Sequence, residues 1–88
     1  MNYLIVDIGN TNIVLAVFDV KKINKKWRIS SHLNRTKDEY VIWLKYIIDQ
    51  NYKFDDIIIG SVVPDITQEF KLAVSTFLKS KPYIIAED

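Results

Sequence analysis

Residues 1–19 read MNYLIVDIGNTNIVLAVFD. Two apolar runs, 3–8 and 12–19, are rich in Ile, Val, Leu and Phe and are parted by a small polar turn at Gly9-Asn10-Thr11. Such runs are predicted to be strands. The second is apolar at every position from Ile13 to Phe18, the pattern of a strand covered on both faces. The first carries a carboxylate, Asp7, at its carboxyl end.

Working outward, residues 26–34 alternate. Trp27, Ile29 and Leu33 fall on one face, with Arg28, Ser30 and His32 on the other. This predicts a third, more exposed strand, joined to the second by a polar turn over Lys21–Lys25. The period then changes. Thr36-Lys37-Asp38-Glu39 is a capping box, and Tyr40, Trp43, Leu44, Ile47 and Ile48 recur at helical spacing. Asp56–Ile59 is a short buried strand ending at Gly60, followed by the loop Ser61-Val62-Val63-Pro64. Asp65-Ile66-Thr67-Gln68 reads as a second capping box, opening a helix with a stripe of Ile66, Phe70, Ala73, Val74, Phe77 and Leu78. Tyr83–Ala86 closes as a strand after Pro82.

The predicted order is β-β-β-α-β-α-β, an α/β mixed sheet with helices on its faces. A crossover fold normally covers its last strand with another helix, yet Glu87-Asp88 follows directly. The expectation is a fragment: residues 1–88 as one N-terminal subdomain, its second domain absent.

Composition narrows the function. With 88 residues, 49% hydrophobic and 12% aromatic, the chain supports one globular core and is not disordered. A net charge of +1 argues against nucleic-acid or membrane-surface binding by bulk electrostatics. No apolar stretch approaches the roughly 20 residues that span a bilayer. The absence of cysteine rules out disulfides and thiolate metal sites within these residues. A cytoplasmic, non-membrane protein is the default.

The chemistry concentrates at Asp7–Val14. The only two glycines, Gly9 and Gly60, each end an apolar strand run. At Gly9, the missing Cβ allows a sharp turn, positive φ and close approach of a ligand. Asn10, Thr11 and Asn12 add side-chain donors, and successive backbone amides in a tight turn form a concave anion site. Asp7 suits magnesium held directly or through water. Amides for phosphate beside a carboxylate for metal are what phosphoryl transfer requires. The plain alternative is a hairpin turn with Asp7 facing water at a strand end. Burial of an unpaired carboxylate inside Leu-Ile-Val-Asp-Ile would cost several kcal/mol, which favours the site.

These residues resemble a known family. DIGNTNIVLAVFD is similar to the first phosphate motif of the type III pantothenate kinases, within the superfamily of actin, hexokinase and the seventy-kilodalton heat-shock chaperones. Trp27-Arg28-Ile29-Ser30 resembles the family's third strand. Arg35–Tyr40 resembles its R-T-x-D-E-Y helix start, and Gly60–Pro64 its S-V-V-P loop. The resemblance implies a ribonuclease H-like first domain of an actin-like ATPase fold. It also implies ATP-dependent phosphorylation of pantothenate to 4'-phosphopantothenate, the first step of coenzyme A synthesis. ATP would be contacted by Asp7, Ile8, Gly9, Asn10, Thr11, Asn12, Ile13 and Val14, with Asp7 organising magnesium through water. A monovalent cation, potassium or ammonium, and a homodimer are implied as well. The family's catalytic base lies in a G-x-D-R motif of a second domain, and no G-x-D-R occurs in these 88 residues. No residue here is therefore assigned as catalytic, and the chain alone is expected to be inactive.

Other features have plain readings. His32 is a lone surface histidine, since metal sites need several ligands together. Lys21, Lys22, Lys25, Lys26 and Arg28 form a solvated basic turn, and Trp43 belongs to the core. Ser61 has no neighbouring base to activate it. The alternative function is a non-catalytic regulatory module of the same fold, of the transcriptional accessory kind.

Overall fold

A computed structural model describes residues 2–19, 22–48 and 53–86. Its order is β1 (Asn2–Ile8), β2 (Asn12–Asp19), β3 (Lys22–Ser30), α1 (Lys37–Ile47), β4 (Asp56–Ser61), α2 (Pro64–Leu78) and β5 (Tyr83–Ala86). The β-β-β-α-β-α-β order is as the sequence predicts. One five-stranded sheet runs β3-β2-β1-β4-β5. β1–β2 and β2–β3 pair antiparallel, whereas β1–β4 and β4–β5 pair parallel. Each parallel pairing needs a crossover, which α1 and α2 supply.

The register separates the two faces. Leu4, Val6 and Ile8 stand opposite Val17, Leu15 and Ile13 on β2 and opposite Ile57, Ile59 and Ser61 on β4. All nine are buried. Against them pack Tyr40 and Leu44 from α1, Ile48 at its C-cap, and Ile66, Phe70, Ala73 and Val74 from α2. Phe70 joins the helices through its ring, 5.0 Å from that of Tyr40 and 6.4 Å from that of Trp43. The Lys37 amide also donates to Glu69 Oε1 at 3.1 Å, tying the start of α1 to α2.

Both helices serve one face, not two. The other face, carrying Tyr3, Ile5, Asp7, Val14, Ala16, Phe18 and Ile58, has no helix among the described residues. β2 is therefore covered on a single face. Its unbroken apolar run reflects an open face that is also apolar, with Val14 and Phe18 half-buried.

Three boundaries differ from expectation. β3 occupies residues 22–30 rather than 26–34, so Lys22–Lys25 belong to a strand, and Lys21 lies outside the described residues. This is the sheet edge, where exposed lysines discourage pairing with other chains and imitate a turn in composition. The strand stops at Ser30 because Ser31 turns in to bond the β1–β2 connection, leaving Leu33 exposed beyond it. The second capping box does not form: α2 starts at Pro64, with Val63 as its N-cap and no side-chain cap. Proline's fixed φ and missing N–H suit the first helical position, so the helix begins one residue before Asp65. The first box does form, the Glu39 amide donating to Thr36 Oγ1 at 3.4 Å and the Thr36 amide to Glu39 Oε1 at 3.1 Å. Finally, β4 runs through Gly60 to Ser61, where pairing with Ile8 extends it.

Candidate phosphate-binding turn

The carboxyl ends of β1 and β4 and the start of β2 meet at one end of the sheet, where α/β folds commonly bind ligands. Gly9, Asn10 and Thr11 connect β1 to β2, and the Gly9 amide donates to the Asn12 carbonyl at 2.9 Å. Gly9 is not needed here for positive φ, since no glycine has it and the turn residues have none either. Close approach is the reason: a Cβ on Gly9 would stand 3.3 Å from the Asn12 carbonyl oxygen.

Asp7 is exposed on the open face, not buried inside the strand. The desolvation argument therefore fails, because side chains alternate and Asp7 points opposite Val6 and Ile8. Its partners in register are Val14 on β2 and Gly60 on β4. Gly60 presents no side chain beside the carboxylate, and a Cβ there would have only the Val6 carbonyl, at 4.0 Å, for a neighbour. Asp7 thus faces free space next to the turn.

The loop after β4 is fixed to the same place. The Val62 amide donates to the Ile8 carbonyl at 3.1 Å. Ser61 is buried, and its Oγ accepts from the Val63 amide at 2.9 Å. Its hydroxyl is thereby used in a local turn. From the other side, β3 reaches the turn through Ser31, whose amide donates to the Thr11 carbonyl at 2.8 Å and whose hydroxyl donates to the Gly9 carbonyl at 2.6 Å.

Of the eight residues expected to meet ATP, Asp7, Asn10 and Thr11 are exposed, while Gly9, Asn12 and Val14 are partly so. Ile8 and Ile13 are fully buried on the helix face, where only their backbone atoms stand near the turn. Ser31 is the residue that sequence reasoning missed. Its place in an expected strand gives no hint that its hydroxyl reaches the Gly9 carbonyl.

The donor set decides what a metal can find. Among the described residues no three His, Cys, Asp or Glu side chains group together. A dedicated metal cage is excluded there. One exposed carboxylate beside a tight turn does suit magnesium, which keeps several waters and takes one or two carboxylates plus substrate phosphates.

Two hollows lie elsewhere. One of about 350 Å³, lined by Tyr3, Ile5, Phe18, Asp19 and Ile58, sits on the open face toward the end of β1 away from the turn. The other, about 230 Å³, lies between β3 and α1 and is lined by Ile29, Arg35, Glu39, Tyr40 and Trp43. His32 is exposed.

Comparison with known proteins places the chain in a family. The family model described as type III pantothenate kinase matches residues 3–88. A type III pantothenate kinase of Finegoldia magna is 42% identical, covering 96% of this chain and 34% of that protein. One from Bifidobacterium adolescentis is 37% identical, covering 97% and 35% respectively. The chain thus spans about a third of the length of these curated relatives. Among solved structures, a ROK family protein from Streptococcus pneumoniae superposes with TM-score 0.65 at 17% identity, over 98% of this chain and 34% of that one. The ethanolamine utilization protein EutJ from Carboxydothermus hydrogenoformans gives 0.66 at 14% identity, over 96% and 44%. At those identities the likeness is one of fold, that of the first domain of an actin-like ATPase.

Proposed function

This chain belongs to the type III pantothenate kinase family, and from that premise we propose that it supplies the phosphate-binding half of an ATP site used to phosphorylate pantothenate. The observation that carries the reading is the juxtaposition of Asp7, the Gly9–Asn12 turn and side-chain-free Gly60 at one end of the sheet. In this reading the primary alcohol oxygen of pantothenate bonds to the γ-phosphorus as the bond to the bridging oxygen breaks, and ADP leaves. Phosphoryl transfer depends on positioning and charge stabilisation more than on covalent help from the protein. The turn would contribute amide dipoles toward the phosphates. Asp7 would hold magnesium through water, and the ion would supply positive charge against the phosphates.

The same reading treats residues 1–88 as an N-terminal ribonuclease H-like subdomain. The base that accepts the alcohol proton, the monovalent cation site and the rest of the nucleotide contacts would lie outside it. A homodimer and a cytoplasmic location are part of the proposal. Among the described residues no helix is long and apolar enough to cross a membrane. No observation favours the non-catalytic regulatory alternative.

The test is to supply the gene product that carries this sequence with magnesium, ATP and a panel of alcohols, and to follow product by mass. Formation of 4'-phosphopantothenate, with pantothenate preferred over sugars, is the expected result. ATP consumption with another acceptor only would refute the substrate. No consumption with any acceptor would refute the kinase reading.

A further inference from the structure

We propose that Ser31 is a positioning residue that sets the orientation of the Gly9–Asn10 peptide. The proposal rests on the reading above that the turn meets phosphate.

The Gly9 carbonyl takes no bond from the backbone amides of its own turn. It is held instead by the Ser31 hydroxyl at 2.6 Å, across 22 residues of sequence. The Ser31 amide holds the Thr11 carbonyl at 2.8 Å. One residue thereby fixes two carbonyls of a turn whose internal closure is the single bond from the Gly9 amide to the Asn12 carbonyl. A trans peptide is planar, with C=O and the following N–H antiparallel. Drawing the Gly9 carbonyl toward Ser31 therefore turns the Asn10 N–H to the opposite side, away from Ser31. An amide held in that direction before ligand arrives needs no reorganisation to meet an anion.

Ser31 is itself held from behind. The Arg35 guanidinium donates through Nη1 to the Ser30 carbonyl, and the Arg35 amide donates to the His32 carbonyl at 3.4 Å. Residues 30–35 thus form a brace between α1 and the turn. The Arg-Thr start of the helix motif, which capping explains only for Thr36, gains a role through this brace.

The experiment compares Ser31→Ala, Ser31→Thr and, as a control, Ser30→Ala in the full gene product. Ser30 contributes only its backbone carbonyl. Ser31→Ala is expected to raise the KM for ATP about tenfold, with kcat and the acceptor KM changed less than threefold. Ser31→Thr, which keeps the hydroxyl, restores the wild-type KM, and Ser30→Ala leaves it unchanged. Independently of turnover, the NMR order parameter of the Asn10 amide without ligand falls in Ser31→Ala from the rigid range near ~0.85 to below ~0.6. An unchanged Asn10 order parameter would overturn the proposal, as would an unchanged KM in an active enzyme. If wild type consumes no ATP, the kinase reading fails on that result, and the order parameter alone decides the role of Ser31.

Discussion

Replacing Asp7 with Asn separates folding from function. The side chain is exposed and has no hydrogen bond or ion pair among the described residues. Its cross-strand neighbours, Val14 and Gly60, offer neither. Asn matches it in size and removes only the charge. A surface change that breaks no contact shifts stability by about 0.5 kcal/mol or less. For a domain of 60–100 residues that moves Tm by roughly 2–4 °C at most. The effect on turnover is of another order. Removing one preorganised electrostatic group from a transition state typically costs about 10²–10³ in kcat. Thermal unfolding by circular dichroism, paired with coupled ADP release at saturating magnesium and ATP, reads both quantities on one preparation. A variant that melts like wild type yet turns over at least about a hundredfold more slowly is the expected outcome. Turnover within threefold of wild type would refute the placement of Asp7 in the site. A loss of stability comparable to that of a core variant would show that the carboxylate holds the fold instead.

Other substitutions test the packing and the pH response. Phe70→Ala empties the contact between both helices and the sheet, and chemical denaturation should show a loss of about 3–5 kcal/mol. Thr36→Ala removes a formed cap and should cost about 1 kcal/mol, whereas Asp65→Ala, which caps nothing, should cost less than half of that. Burial raises the Tyr40 phenol above its ordinary value of 10, with the Arg35 charge offsetting part of the rise. Its contribution to stability is therefore complete below pH 10 and is lost as pH climbs through the raised native value, because the unfolded chain releases the proton first. Denaturation between pH 9 and pH 11 should accordingly fall less steeply in Tyr40→Phe than in wild type. Equal slopes would contradict the assignment.

The strand over 12–19 and the helix at Thr36 are legible because their signals are local: an unbroken apolar run and a capping box. The β3 edge is not, since exposed lysines serve an edge strand and a turn equally well. The start of α2 lies two residues before the one an Asp65 cap implies, because two valid signals compete and Pro64 at the first helical position prevails. At the site, Gly9 was legible as a close-approach position, although its need is contact with the Asn12 carbonyl and not positive φ. The burial argument for Asp7 fails, since strand alternation places it on the open face. Ser31 was invisible because its importance depends on a contact across 22 residues. The one-sided placement of the helices was also beyond reach: periodicity shows that a strand is apolar but not which of its faces another layer covers.

The central claim is that the β1–β2 turn receives the phosphates of ATP. The most direct measurement is a crystal structure of the gene product with magnesium and a nonhydrolysable ATP analogue. Phosphate oxygens within about 3.2 Å of the turn's backbone amides, and a magnesium water facing Asp7, are the predicted result. A nucleotide bound with its phosphates away from Gly9–Asn12 would contradict the account.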